Sequence, residues 1–181
     1  MVGTHQYTVE DLETAPPQGR WELIDGELVE LTPAADEPSS IGATILGFLG
    51  PFVRERKLGR LYGADGGFVL FPARPTVRVP DVAFVRADRA PQGSARKGFP
   101  RLAPDLAVDV LSPSDSTSEV VAKLEMYREA GVPLIWVVDP EKATITVIAS
   151  GQPVTVLKQG DILSGGDVLT GFSVPVADIF S

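Results

Sequence analysis

The 181-residue chain has no cysteine. That removes thiol nucleophiles, cysteine-based zinc sites and any disulfide framework. Its one histidine, His5, stands beside the N-terminus, and there is no G-x-S-x-G elbow, so a Ser-His-Asp hydrolase lacks its parts. There is no Walker loop. The glycine-rich "YGADGGF" at 62–68 lacks both the G-x-G-x-x-G order and a following helix, and reads as a turn. No apolar run approaches the roughly 18 residues of a membrane span. The opening "MVGTHQYTVEDLE" has no charged-then-apolar signal pattern, so a soluble, cytoplasmic protein is expected.

Positive charge is also in short supply: 16 Lys and Arg against 24 Asp and Glu give a net charge of −8. That argues against broad, non-specific binding to nucleic acid, because phosphate affinity comes from Lys and Arg. It does not exclude a nuclease whose acidic site is neutralised by metal. The local basic runs, "RERKLGR" at 54–60 and "RADRAPQGSARKGFPR" at 86–101, read as a solvated helix end and a solvated loop.

What is present is an ordinary globular composition, 44% apolar and 22% charged. The length suits one domain, 1–181, with a substantial core that needs no staples. "YTVEDLE" predicts a short helix with Thr8 as N-cap and Asp11 in the acidic position of a capping box. Asp25-Gly26 between two β-runs in "WELIDGELVEL" predicts a hairpin. Ile41, Ile45, Leu49 and Val53 form a helical stripe over 39–58, which Pro51 should kink or stop. Strands are expected in "RLYGA", "GFVLF" and "TVRVPDVAFV", with Pro80 at a sheet end or irregularity. Strand 104–112, helix 118–131 and strand 133–140 make a βαβ unit with parallel strands, hence an α/β fold. The tail alternates like a small antiparallel meander.

Within that unit, Asp109 is lodged in the apolar run "LAVDVLS". Alternation puts Asp105, Ala107, Asp109 and Leu111 on one face, and a buried carboxylate there needs a cation, a metal or hydrogen-bond donors. On the helix, at about 100° per residue, Lys123 falls inside the stripe of Val120, Leu124, Tyr127 and Ala130. It either snorkels along the stripe edge, pairs with Asp109, or serves a site. Asp81, at the start of "DVAFV", has the same burial problem. Were Asp81 and Asp109 neighbours with Lys123 beside them, two hard carboxylates would suit Mg²⁺ or Mn²⁺ and a phosphodiester substrate. Spacing alone does not bring the three together. Trp21 and Trp136 read as core residues, and Phe68 and Phe71 as core or hairpin residues.

In order along the chain, "WELIDGELVEL", "VPDVAFV", "PDLAVDVLSPS" and "KLEMYREAGVPLIWVVDP" resemble the Uma2 family of the PD-(D/E)XK nuclease superfamily. The resemblance runs from about residue 7 to "GFSVPVADIF". It implies a restriction endonuclease-like mixed central sheet flanked by helices, with extra antiparallel strands in the N- and C-terminal parts. It also implies a metal-dependent endonuclease acting on nucleic acid, DNA in the first instance. Asp81 matches the "PD" aspartate and Asp109 the second carboxylate; both are the implied metal ligands, for Mg²⁺ or Mn²⁺. Leu111 stands where the usual motif has its lysine, and Lys123 matches a lysine moved to the following helix. Glu22 matches a family acidic residue that completes the site, as an accessory ligand or base. Asp105 reads as a structural strand-entry residue.

The chain departs from the family in three places. Asp109 stands where Glu is usual, "DEPSSIGATI" lacks a histidine common near that helix start, and Glu119 stands where Asp is frequent. These leave three readings open: a working nuclease, a catalytically impaired nuclease fold acting as a binding or assembly module, and an ordinary buried Asp–Lys pair. A homodimer is expected, since one site per chain cuts both strands only as a pair, with the apolar C-terminal strands as interface.

Overall fold

The computed structural model describes residues 6–32, 35–93 and 97–181. His5 and part of the basic loop, residues 94–96, lie outside them. Helix α1 (Val9–Thr14) starts at Thr8, whose side chain accepts the Asp11 N–H while Asp11 caps the Thr8 N–H in return. Strands β1 (Arg20–Ile24) and β2 (Glu27–Leu31) pair antiparallel across Asp25-Gly26. Both turn residues have positive φ, 52° and 85°, the geometry whose twist matches a hairpin.

Helix α2 (Asp36–Arg56) buries Ile41, Ile45, Leu49 and Val53 as the stripe predicts. The helix runs on past Pro51 and does not stop there. The bond Pro51 cannot make belongs to the carbonyl of Gly47; both residues face water, which can take that carbonyl, and the buried Leu49 and Val53 hold the helix on either side. The exposed Arg54, Arg56 and Lys57 form the solvated helix end, closed by Lys57 at φ 54°.

Strands β3 (Gly59–Gly63), β4 (Phe68–Phe71), β5 (Thr76–Arg78) and β6 (Val82–Arg86) follow. Then come β7 (Leu106–Val110), α3 (Thr117–Glu129) and β8 (Leu134–Asp139), the βαβ unit, with β7 and β8 parallel. The tail holds β9 (Thr144–Ala149), β10 (Thr155–Leu157), β11 (Ile162–Ser164), β12 (Ser173–Pro175) and α4 (Val176–Ile179). It is not one meander: β9 and β10 extend the central sheet, whereas β11 and β12 pair on their own.

The central six-stranded sheet runs β10-β9-β8-β7-β6-β3, and a four-stranded antiparallel sheet runs β2-β1-β5-β4. On one face of the central sheet Leu106, Val108, Trp136 and Val138 pack against α2 and the C-terminal segment. On the other, Ala83, Ala107 and Ile135 pack with Phe68 and with Tyr127 of α3. Trp136 is fully buried and stacks on Phe172, while Trp21 is half-buried. Among the described residues no helix is long and apolar enough to cross a membrane.

Candidate active site

The chain passes from one sheet to the other through Val79-Pro80-Asp81, between β5 and β6. Pro80 has no N–H to give a ladder. Regular pairing of β6 with β7 accordingly ends at Val82↔Val108. One further step of that register sets Asp81 opposite Asp109, and opposed residues of an antiparallel pair share a face. Where the ladder has run out, Asp81 substitutes a side chain: its Oδ2 accepts the Val110 N–H at 2.8 Å.

Lys123 reaches the same place from α3. Ser116 and Glu119 form a capping box that fixes the helix start, and two turns later Lys123 lies over Asp109. Its Nζ donates to Asp109 Oδ1 at 2.5 Å and to the Val79 carbonyl at 3.2 Å. The Tyr127 ring, one turn on, has its centroid 5.9 Å from Nζ. Of the apolar stripe only Tyr127 is buried; Val120, Leu124 and Ala130 are half-buried. The reason is that this part of α3 roofs a cleft: Val120, Lys123 and Leu124 all line it.

Glu22 arrives from the four-stranded sheet. The β1–β5 register, Leu23↔Val77, extends to put Glu22 opposite Arg78. Arg78 Nη1 donates to Glu22 Oε2 at 2.8 Å, and the Val79 N–H donates to Oε1 at 2.7 Å. Lys123 Nζ lies 3.6 Å from the same Oε1. Glu22 and Arg78 are both buried, at 3% and 4% exposure. Sequence reasoning passed over Arg78. The signal was there, a charge inside the apolar run "TVRVPDVAFV", but its partner stands 56 residues away. Asp105 is structural, taking the Arg86 N–H at 2.8 Å and Arg89 Nη1 at 2.6 Å.

The four sequence-predicted residues, Glu22, Asp81, Asp109 and Lys123, thus line one cleft of about 440 Å³. Burial pushes the Asp81 carboxyl above its usual range, against the pull of the Val110 N–H and Lys123. Burial does the same to Asp109, where Lys123 opposes it and the charges of Asp81 and Glu22 add to it. For Lys123 burial favours the neutral amine, but Asp109, Tyr127 and Glu22 together hold the ammonium well above the ordinary lysine range. It is therefore a cation at neutral pH.

Because a desolvated carboxylate is costly, Asp81→Asn is expected to stabilise the metal-free protein. The amide oxygen still accepts from Val110. A gain of about 0.5–2 kcal/mol would raise Tm by about 2–6 °C in EDTA. A fall in Tm under those conditions would contradict this picture of Asp81.

Whether the residues suit a divalent ion turns on Asp109. Its Oδ2 is buried and has no hydrogen-bond partner, although Oδ1 holds Lys123. Among the described residues no three His, Cys, Asp or Glu side chains gather into a metal cage. Mg²⁺ does not require one: it is commonly held by one or two carboxylates, keeping several waters. Asp81 and Asp109 fit that pattern. Glu22 has both oxygens engaged and faces the site through Lys123.

A family model described as "Putative restriction endonuclease" matches residues 7–177. The chain belongs to the Uma2 family. No curated protein matches the sequence. Among solved structures, a protein from Anabaena variabilis ATCC 29413, described as "a putative nuclease belonging to DUF820", aligns with a TM-score of 0.82. The alignment covers 96% of this Uma2 chain and 97% of that one at 18% sequence identity, a likeness of fold. The mixed sheet with its flanking helices is therefore the restriction endonuclease-like architecture that the motifs implied.

Proposed function

We propose that this Uma2 chain is a Mg²⁺- or Mn²⁺-dependent endonuclease that hydrolyses phosphodiester bonds of DNA, with Asp81 and Asp109 as metal ligands. The observation that carries the reading is the orphaned, buried Asp109 Oδ2 on the face shared with Asp81, beside a charged lysine. A bound divalent ion would supply charge stabilisation and a more acidic water.

Lys123, being protonated, does not take the proton of the attacking water. It is suited to stabilise negative charge growing on the phosphoryl oxygens. The Val79 carbonyl and Asp109 aim it, and Glu22, clamped by Arg78, keeps Val79 and Lys123 in place. The competing reading, an impaired nuclease fold used for binding, is favoured by one observation: Lys123 already occupies Asp109 Oδ1. The test is cleavage of plasmid and of single-stranded DNA with Mg²⁺, Mn²⁺ or EDTA. The nuclease reading expects metal-dependent cuts that Asp81→Ala abolishes; metal binding without cuts supports the binding module.

The assembly we propose is a homodimer. Strand β10 is an edge of the central sheet, and near it Val154, Val156 and Ile162 are 59%, 54% and 56% exposed. An unpaired apolar edge of this kind invites a second copy. Sedimentation is expected to show a dimer that Val154→Lys with Val156→Lys dissociates. A strictly monomeric wild type at high concentration would remove the proposal.

A further inference from the structure

Resting on the nuclease reading, we infer that the cleft takes an unpaired DNA strand, and that an intact duplex laid across its mouth is a poor substrate. Three observations carry this. The first is depth. Asp109 is 9% exposed with its free oxygen enclosed, at the floor of a cleft of about 440 Å³. That volume is in the range of pockets that take small molecules, about 300–1,000 Å³. A duplex is stiff, and one of its phosphates cannot descend without its stacked neighbours.

The second is charge. Among the described residues, the three cations lining the cleft are already paired: Arg20 with Asp65 at 3.2 Å, Arg78 with Glu22 at 2.8 Å and Lys123 with Asp109 at 2.5 Å. Its exposed rim adds Glu30, Asp115 and Glu119. Duplex affinity grows with the number of phosphates neutralised, and this rim neutralises few. The exposed Arg54, Arg56 and Lys57 do not help. They precede Gly59, which pairs with Arg86 at the far end of β6, whereas Asp81 adjoins the near end at Val82. Five strand residues, about 17 Å, separate the two ends.

The third is the nature of the walls. Val29, 41% exposed on the hairpin, faces the cleft together with Leu31 and Val120. Apolar walls suit the face of a base, which a duplex keeps stacked inside and an unpaired strand offers.

The experiment compares end-labelled single-stranded, forked and blunt-duplex DNA of one sequence, with wild-type protein and Mn²⁺. The single strand and the unpaired fork arm are expected to be cut about a hundredfold faster than the blunt duplex. That figure takes two opened base steps at about tenfold each. Affinity for the single strand should fall gently with salt, with a log–log slope of about −1.4 to −2.1 for two or three phosphates. Equal or faster cutting of the blunt duplex would overturn the inference and leave the nuclease reading standing. Failure to cut any of the three, with Mn²⁺ or Mg²⁺, would overturn the nuclease reading and this inference with it.

Discussion

Truncating Arg78 to alanine is expected to cost about 3–5 kcal/mol of stability, the range for breaking a buried ion pair by removing one partner. Glu22 would be left at 3% exposure with only the Val79 N–H and the more distant Lys123 to hold its charge. The loss should not be read as the worth of the salt bridge. Replacing both partners, Glu22→Leu with Arg78→Met, is expected to recover most of it, because the desolvation cost then disappears from both sides. Arg78 Nε has no hydrogen-bond partner, which points the same way: this arginine is incompletely satisfied where it lies. Urea denaturation of the two single variants and the double variant reads the coupling directly. A cost for Arg78→Ala below about 1 kcal/mol would contradict the burial of the pair.

The second large effect concerns Lys123. Lys123→Met keeps most of the side-chain stem against Tyr127 and removes the charge. If the ammonium stabilises the negative charge growing on the phosphoryl oxygens, the rate should fall by about 10²–10⁴-fold. Metal binding should survive, because the substitution frees Asp109 Oδ1 and does not remove a ligand. A purely structural Lys123 predicts the opposite split: a folding defect in urea, with the activity of the folded fraction unchanged. Measuring rate, metal affinity and stability on one preparation separates the two.

Much of this architecture could be read from local chemistry. The Thr8–Asp11 capping box, the Asp25-Gly26 turn and the βαβ unit depend on residues within a few positions of each other or on one period. Asp109 and Lys123 were legible for a different reason: each is a charge where the pattern demands an apolar residue, and each found the other. The pairing of β1 with β5 was not legible. It joins residues more than fifty positions apart, and so Arg78 and its clamp on Glu22 went unseen. A proline in a helix can kink it or stop it, and the sequence did not decide between them; the helix runs on past Pro51, where the carbonyl left unbonded, that of Gly47, faces water. The half-burial of Val120 and Leu124 was missed because periodicity finds an inner face without telling whether core or cleft lies beneath it.

The central claim is that Asp81, Asp109 and Lys123 form one working metal-dependent site. It is tested most directly by cleavage of end-labelled single-stranded DNA in Mn²⁺, comparing wild type, Asp81→Ala and Lys123→Met at equal folded concentration. Wild type should cut and EDTA should abolish the cuts, Asp81→Ala should give none above background, and Lys123→Met should cut more slowly by about 10²-fold or more. Wild-type cleavage that persists undiminished in Asp81→Ala would contradict that claim.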